Sequence, residues 1–308
     1  MHIINGYRMT TDFSAENAGF CKWGFAEKDG YGYFIKEFLA PKYPLDSHKL
    51  SPSMMEKKKK QCEQFYAEKV RLYKAIRSCR TGNVVAIENF FREGAKYYSV
   101  TQRIAPSEIS LEQISRLDQT KKYVLIRSLL YSFAKLHSKS IIHADIKPDN
   151  ILIKKTEAGF YTGKIIDFDS AFFEDSVPEE IQGDQIYLAP EVRLHMMEQE
   201  APITTKIDIF ALGILFHQYW SGKLPTMLSD YEYLFESVLD DSPIMLDDSI
   251  PPTMKRIIGR MLEKDPDSRP SAEQILKELD GTTPKTEETP RVSMKKGEKG
   301  FHRPGELL

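Results

Sequence analysis

The sequence predicts an α+β chain in two lobes, a small strand-rich one followed by a larger helical one. Alternation of apolar and polar residues around tight turns dominates the first hundred or so residues, whereas long segments of helical period fill most of the remainder. After Gly281 the apolar pattern stops.

In FCKWGFAEKDGYGYFIKEF the alternation reverses at Lys28-Asp29-Gly30, and Asp-Gly supplies the positive φ angles that a two-residue hairpin turn needs. A helix then opens at Ser51-Pro52, a capping serine before a first-turn proline. Phe65, Leu72, Tyr73 and Ile76 recur at helical spacing as far as Arg77. The run from Lys57 to Lys60 reads as a solvated face of that helix. NVVAIENFF and KYYSVTQRI read as two more strands, and Ala105-Pro106-Ser107 as the break between lobes. Helices are expected in LDQTKKYVLIRSLLYSFAKLHS, IDIFALGILFHQYW, PPTMKRIIGRMLEKD and SAEQILKEL. The resulting division is 1–101 for the small lobe, 102–106 for a hinge, 107–280 for the large lobe and 281–308 for a tail too polar to offset its own ordering entropy.

The 308 residues carry 43 Lys and Arg against 45 Asp and Glu, and a net charge of -2 lacks the sequence-wide basic footprint of a nucleic-acid binder. Hydrophobic residues at 41% and charged residues at 29% exclude a fibrous or wholly disordered chain. Cys21, Cys62 and Cys79 show neither paired nor metal-ligand spacing, as expected for thiols that stay reduced. MHIINGYRMTTDF has no signal-peptide core, and no apolar stretch approaches the ~20 residues of a membrane span. A cytoplasmic protein with neither nucleic acid nor membrane as partner is expected.

The chemistry concentrates in His143-Ala144-Asp145-Ile146-Lys147-Pro148-Asp149-Asn150, which precedes the apolar strand ILI, and in KIIDFD, which ends at Asp169. Two strands flanking a polar loop would bring Asp145, Lys147, Asn150 and Asp167 to one edge. They would supply a base, a cation and two oxygen ligands suited to Mg²⁺, the parts that phosphoryl transfer requires. The segment resembles the catalytic loop and metal-binding motif of eukaryotic-like Ser/Thr protein kinases, in which His-Arg-Asp-x-x-x-x-Asn precedes Asp-Phe-Gly. Ala189-Pro190-Glu191, Asp208 with Gly213 in DIFALG, and Arg269 in DPDSRP follow in the family's order. The resemblance therefore runs from about Gly19 to Leu279.

The resemblance implies a two-lobed protein kinase fold with ATP and Mg²⁺ between the lobes, and transfer of the γ-phosphate to Ser or Thr of a protein. Lys147, two residues after Asp145, matches the Ser/Thr class. Asp145 and Lys147 would be catalytic, and Asn150 and Asp167 would hold the metal. Lys36 in Tyr33-Phe34-Ile35-Lys36 would grip the nucleotide phosphates with Glu68 as its partner, Glu63 remaining an alternative. Thr101 falls at the gatekeeper position and Gln102-Arg103-Ile104 at the hinge, while Leu152 joins the nucleotide-binding residues.

Four departures qualify this. The phosphate-covering loop fits two registers, Gly19-x-Cys21-x-x-Gly24 or, preferred, Gly19 as the third glycine with Cys21 above the adenine and Ser14 and Glu16 at the first two places. Phe34 replaces the alanine that covers adenine, and it shares a strand face with Lys36 unless a bulge turns it into the core. Asp169 replaces a glycine free to take positive φ. Asp184 puts a carboxylate where a hydroxyl would bridge Lys147 and Asp145. Ala144 lacks the cation that binds an activation-loop phosphate, so activity without such phosphorylation is expected. The acidic residues from Asp169 to Asp184 favour a basic substrate, and Arg291-Val292-Ser293-Met294-Lys295-Lys296 makes Ser293 a candidate autophosphorylation site. A pseudokinase scaffold and a small-molecule phosphotransferase of the aminoglycoside-kinase type stay open as alternatives.

Overall fold

The computed structural model describes residues 2–16, 19, 21–45, 50–79, 81–228 and 230–282, so the tail from 283 onward, with Ser293, lies outside the described residues. The small lobe holds β1 (Ile3–Ile4), β2 (Tyr7–Met9), β3 (Cys21–Lys28) and β4 (Tyr31–Phe38), then helix α1 (Pro52–Ser78), β5 (Asn89–Glu93) and β6 (Lys96–Gln102). Its strands form one antiparallel sheet in the order β1-β2-β3-β4-β6-β5.

The turn between β3 and β4 decides which side chains face the cleft. Asp29 at φ 52 and Gly30 at φ 82 form a two-residue loop with both φ angles positive, which places Lys28 opposite Tyr31. Counting along the ladder, Phe25 then faces Phe34, Trp23 faces Lys36 and Cys21 faces Phe38. Because side chains alternate, these six share one face of the sheet. On β6 that face continues with Ser99 opposite Lys36 and Thr101 opposite Phe34. The other face buries Ile35, Tyr98 and Val100 against Ile4, Tyr7 and Met9 of β1 and β2. One side of the sheet is thus sealed by its own strands, and the other is left for α1 and the cleft.

In α1 the Ser51 side chain accepts the Met54 N–H at 3.3 Å and Pro52 opens the first turn. Cys62, Leu72, Tyr73 and Ile76 are buried, and Phe65 and Lys69 are half-buried, a stripe of residues three and four apart. Residues 84–87 do not lengthen β5 as the alternation suggested. Val84 makes a single parallel bridge to Ile165, and Ala86 and Ile87 are buried in the larger core. An apolar run reads the same in a strand as in a linker threaded through a core.

The large lobe contains α2 (Leu111–Ser115), α3 (Gln119–His137), β7 (Ile141–Ile142), β8 (Ile151–Lys155), β9 (Tyr161–Ile165), β10 (Phe172–Phe173), α4 (Pro190–Met196), α5 (Lys206–Ser221), β11 (Thr226–Met227), α6 (Leu234–Leu239), β12 (Ile244–Met245), α7 (Pro252–Met261) and α8 (Ala272–Thr282). Helix α5 is buried on every side from Ile207 to Trp220, which its unbroken apolar sequence requires, and Gly222 at φ 75 ends it. The short strands position the chemistry. β7 ends just before His143 and β8 begins just after Asn150, while β9 ends before Asp167 and β10 begins after Ala171. Since β8 pairs with β9 and β7 with β10, the two polar loops are held side by side. All three cysteines are free and buried. Among the described residues no helix is long and apolar enough to cross a membrane.

Candidate active site

The first loop hangs from Asp208, a buried carboxylate in the first turn of α5. It accepts the backbone N–H of His143 at 2.8 Å and of Ala144 at 3.0 Å, and His137 Nε2 lies 3.0 Å away. These bonds hold Ala144 at φ 65, a left-handed conformation that costs an alanine about 1–2 kcal/mol. The imidazole of His143 packs on the Phe168 ring at 4.9 Å, and its Nε2 is 3.0 Å from the Ile166 carbonyl, so the two loops are also clamped to each other.

Asp145 is fixed from three sides. Asn150 Nδ2 donates to its Oδ2 at 2.8 Å and to its backbone carbonyl at 2.7 Å. The backbone N–H of Asp184 donates to Oδ1 at 3.2 Å, and Lys147 Nζ stands 3.4 Å from the same oxygen. Gly183 permits this approach, because a Cβ there would lie 2.7 Å from the Ala144 carbonyl. The Asp184 side chain is less of an intruder than the sequence suggested. Its Oδ1 accepts the Ile186 N–H at 3.0 Å and its Oδ2 lies 3.8 Å from Lys147, so it shares that lysine with Asp145.

Across the cleft Lys36 Nζ lies 2.7 Å from Asp167 Oδ1 and 2.7 Å from Asp169 Oδ2. Burial opposes its charge, but the Asp169 and Asp167 carboxylates outweigh that and hold its pKa above the usual lysine value. The expected partner Glu68 is exposed and makes no such contact. The inward position on α1 belongs to Lys69, whose Nζ donates to the Asp169 carbonyl at 2.7 Å. A helical stripe through Phe65, Leu72 and Ile76 passes through residue 69, and residue 68 is turned about 100° away from it. Asp169 is not among the residues of positive φ; within the segment that conformation falls on Asp167, at φ 61, so the missing glycine costs the backbone little here.

Between the lobes lies a cavity of about 300 Å³, large enough for a nucleotide base. Phe34, Lys36, Thr101, Gln102, Ile104, Leu152 and Asp167 line it, all named by the sequence. Phe25, Val85, Ile87, Ser99 and Asp169 line it too and were missed. Gly19 and Cys21 do not line it. Gly19 sits in a turn at φ 53 with open space around it. Cys21 pairs with Phe38 at the α1 end of the hairpin and is buried with Cys62 and Tyr97. Phe25 takes the place assigned to Cys21, being the residue opposite Phe34. Burial, reinforced by Asp169, pushes the Cys21 thiol pKa up, so it is an inert thiol. Trp23 is pinned by its indole N–H to the Glu16 carbonyl at 2.8 Å.

β4 runs without a bulge, so Phe34 does face the cavity. With Phe25 and Trp23 it forms an aromatic roof, the Trp23 and Phe34 rings stacking at 5.6 Å and the Phe25 and Phe34 rings meeting at 5.8 Å. Phe34→Ala should open space above the base and admit bulky adenine analogues that the parent excludes. An unchanged analogue profile in competition binding would show that the ring does not limit the base site.

Comparison with known proteins places this geometry. The family described as "Protein kinase domain" matches residues 49–279, three-quarters of the chain. The chain belongs to the protein kinase family. Similar proteins include serine/threonine-protein kinases of Drosophila simulans and Drosophila melanogaster, each 26% identical over 244 residues, covering 76% of this chain and 32% of the relative. Calcium-dependent protein kinase 27 of Arabidopsis thaliana is 25% identical over 233 residues, covering 71% of this chain and 46% of the relative. The chain thus spans about a third to a half of the length of these relatives. The matched region begins after the hairpin that carries Phe34 and Lys36. Glu191 and Arg269, both of which follow in the family's order, form a bidentate ion pair at 2.6 and 2.9 Å.

Proposed function

We propose that this chain is a Ser/Thr protein kinase that binds ATP with Mg²⁺ in the cleft and transfers the γ-phosphate to a protein hydroxyl. The observation that carries this reading is that the loop of Asp145, with Lys147 at 3.4 Å, is held beside the loop of Asp167, which lines the cavity together with Lys36. Asp145 orients the acceptor hydroxyl and takes its proton on a carboxylate oxygen. Lys147 neutralises charge on the transferring group, and Lys36 holds the phosphates. Asn150 and Asp167 fit a Mg²⁺ ion. Both offer hard oxygen donors, and the two Nδ2 bonds of Asn150 to Asp145 commit its amide nitrogen elsewhere, keeping Oδ1 for a cation. Bound there with the nucleotide phosphates, Mg²⁺ would offset their negative charge. We assign residues 1–101 to the small lobe, 102–106 to the hinge and 107–282 to the large lobe, two residues past the expected boundary because α8 runs to Thr282, with the tail following.

The same reading includes activity without activation-loop phosphorylation. The segment is already tied down by unmodified residues, since Arg71 on α1 pairs with Asp175 at 2.7 Å and lies over the Phe173 ring at 4.2 Å. The Glu174 carboxylate accepts the Thr205 N–H at 2.7 Å. The ion pair is exposed, so it serves to orient the segment rather than to stabilise the fold. A Ser170→Ala, Ser176→Ala double variant should keep most of the parent's activity. Loss of activity that phosphorylation of the parent restores would refute this.

A basic protein substrate follows from Glu179 and Glu180, which are exposed, and from Asp184 beside Asp145. The tail around Ser293 has the same basic character and is proposed as an autophosphorylation site. Incubation with labelled ATP, Mg²⁺ and a panel of proteins and small alcohols tests the function. Label in basic proteins, and on Ser293 by mass spectrometry, is expected. Label in the small alcohols alone would mean a small-molecule phosphotransferase, and no transfer to any acceptor would mean a pseudokinase.

A further inference from the structure

Two charged side chains beside Lys36 take no part in the phosphoryl transfer itself. Asp169 places a carboxylate oxygen 2.7 Å from Lys36, the same distance as Asp167. Lys69 projects from α1 into the same place and donates to the Asp169 carbonyl at 2.7 Å. Its ammonium makes no ion pair among the described residues, and burial lowers its pKa against the pull of Asp169. A half-buried lysine on the apolar stripe of a helix is costly unless its charge is used.

We propose that Asp169 supplies the carboxylate that orients Lys36, and that Lys69 is the cationic half of a pair whose charges are reversed relative to the Lys36–Glu68 arrangement expected from the sequence. This rests on the phosphoryl-transfer reading of the cleft. The arrangement expected from the sequence puts a carboxylate on the helix and an uncharged glycine after Asp-Phe. Here the helix carries the cation and position 169 the carboxylate. A set of one cation and two carboxylates becomes one of two cations and two carboxylates, which repels a triphosphate less. The reversal also changes what holds Lys36 in place. Both of its carboxylates lie on the single segment 167–169, so lysine and candidate metal ligand are set together, and α1 contributes through its grip on the Asp169 carbonyl. Asp169 and Lys69 are positioning residues, acting on the nucleotide through Lys36.

The test restores the expected arrangement one side at a time. Asp169→Gly is compared with Asp169→Gly, Lys69→Glu and with Asp169→Gly, Lys69→Met, ATP affinity being measured by calorimetry with Mg²⁺ and phosphate transfer being followed in parallel. Asp169→Gly alone should lower kcat/KM for ATP about tenfold or more, and adding Lys69→Glu should recover most of that while adding Lys69→Met should not. Simple charge counting gives the opposite order, because an anionic nucleotide would prefer the methionine double variant to the glutamate one. The proposal is overturned if the methionine double variant binds ATP as tightly as the glutamate double variant or more tightly, or if Asp169→Gly matches the parent in affinity and turnover. If the glutamate double variant binds ATP better than the methionine one while neither they nor the parent transfer phosphate, the reversed pair stands and the kinase reading falls. A parent that binds no ATP overturns both. Should the glycine variants fail to fold, Asp169→Glu must retain more ATP affinity and turnover than Asp169→Asn, and equality between them overturns the proposal.

Discussion

Asp145→Asn should lower turnover about 10²–10⁴-fold, the loss typical of removing a general base, while leaving ATP binding nearly intact. Asparagine keeps the shape of the side chain and can still accept one of the two hydrogen bonds, from Asn150 Nδ2 or the Asp184 N–H, that hold the carboxylate in place. It cannot take the hydroxyl proton. Asp145 does not line the base cavity, so nucleotide affinity has no reason to fall with it. Steady-state kinetics together with calorimetry separates the two quantities. Parent-like turnover in this variant would remove Asp145 from the chemistry.

The second large effect concerns stability. Arg269 is fully buried and all five of its donors are used: Nε to the Glu263 carbonyl, Nη1 to Glu191 and the Lys206 carbonyl, Nη2 to Glu191 and the Lys264 carbonyl. Its guanidinium also lies 5.0 Å from the centre of the Phe210 ring on the central helix α5. One side chain therefore joins the start of α4 to α5 and to the turn before α8. Glu191→Ala would strand a buried guanidinium without its counter-charge, a loss of about 3–5 kcal/mol. At roughly 2–4 °C per kcal/mol for a domain of this size, the melting temperature should drop by about 6–20 °C. Replacing both partners by methionine should cost less, since no unpaired charge is left behind. A Glu191→Ala protein melting close to the parent would show that the ion pair is not a structural tie.

Much of the site was legible because its residue types have few other uses in that order. Asp145, Lys147, Asn150 and Asp167 needed only the loop pattern and its flanking strands. Placing Cys21 over the base was avoidable. A two-residue Asp29-Gly30 turn makes facing residues on β3 and β4 sum to 59, which pairs Phe34 with Phe25 and sends Cys21 to Phe38. The expectation of Glu68, with Glu63 as its alternative, failed for a different reason. A lysine on an apolar stripe reads as a break in the stripe, although its long stem can be buried and its amine carried to a partner. That partner, the Asp169 carbonyl, is a backbone atom that no side-chain pattern announces. Likewise the loss of glycine at 169 looked costly only while the positive φ was assigned there; it falls on Asp167.

Identifying the amino acid that carries label after incubation of the protein with γ-labelled ATP, Mg²⁺ and a basic protein tests the central claim most directly. Acid hydrolysis should release the label as phosphoserine and phosphothreonine. Label recovered solely as inorganic phosphate, or on tyrosine, would contradict the account.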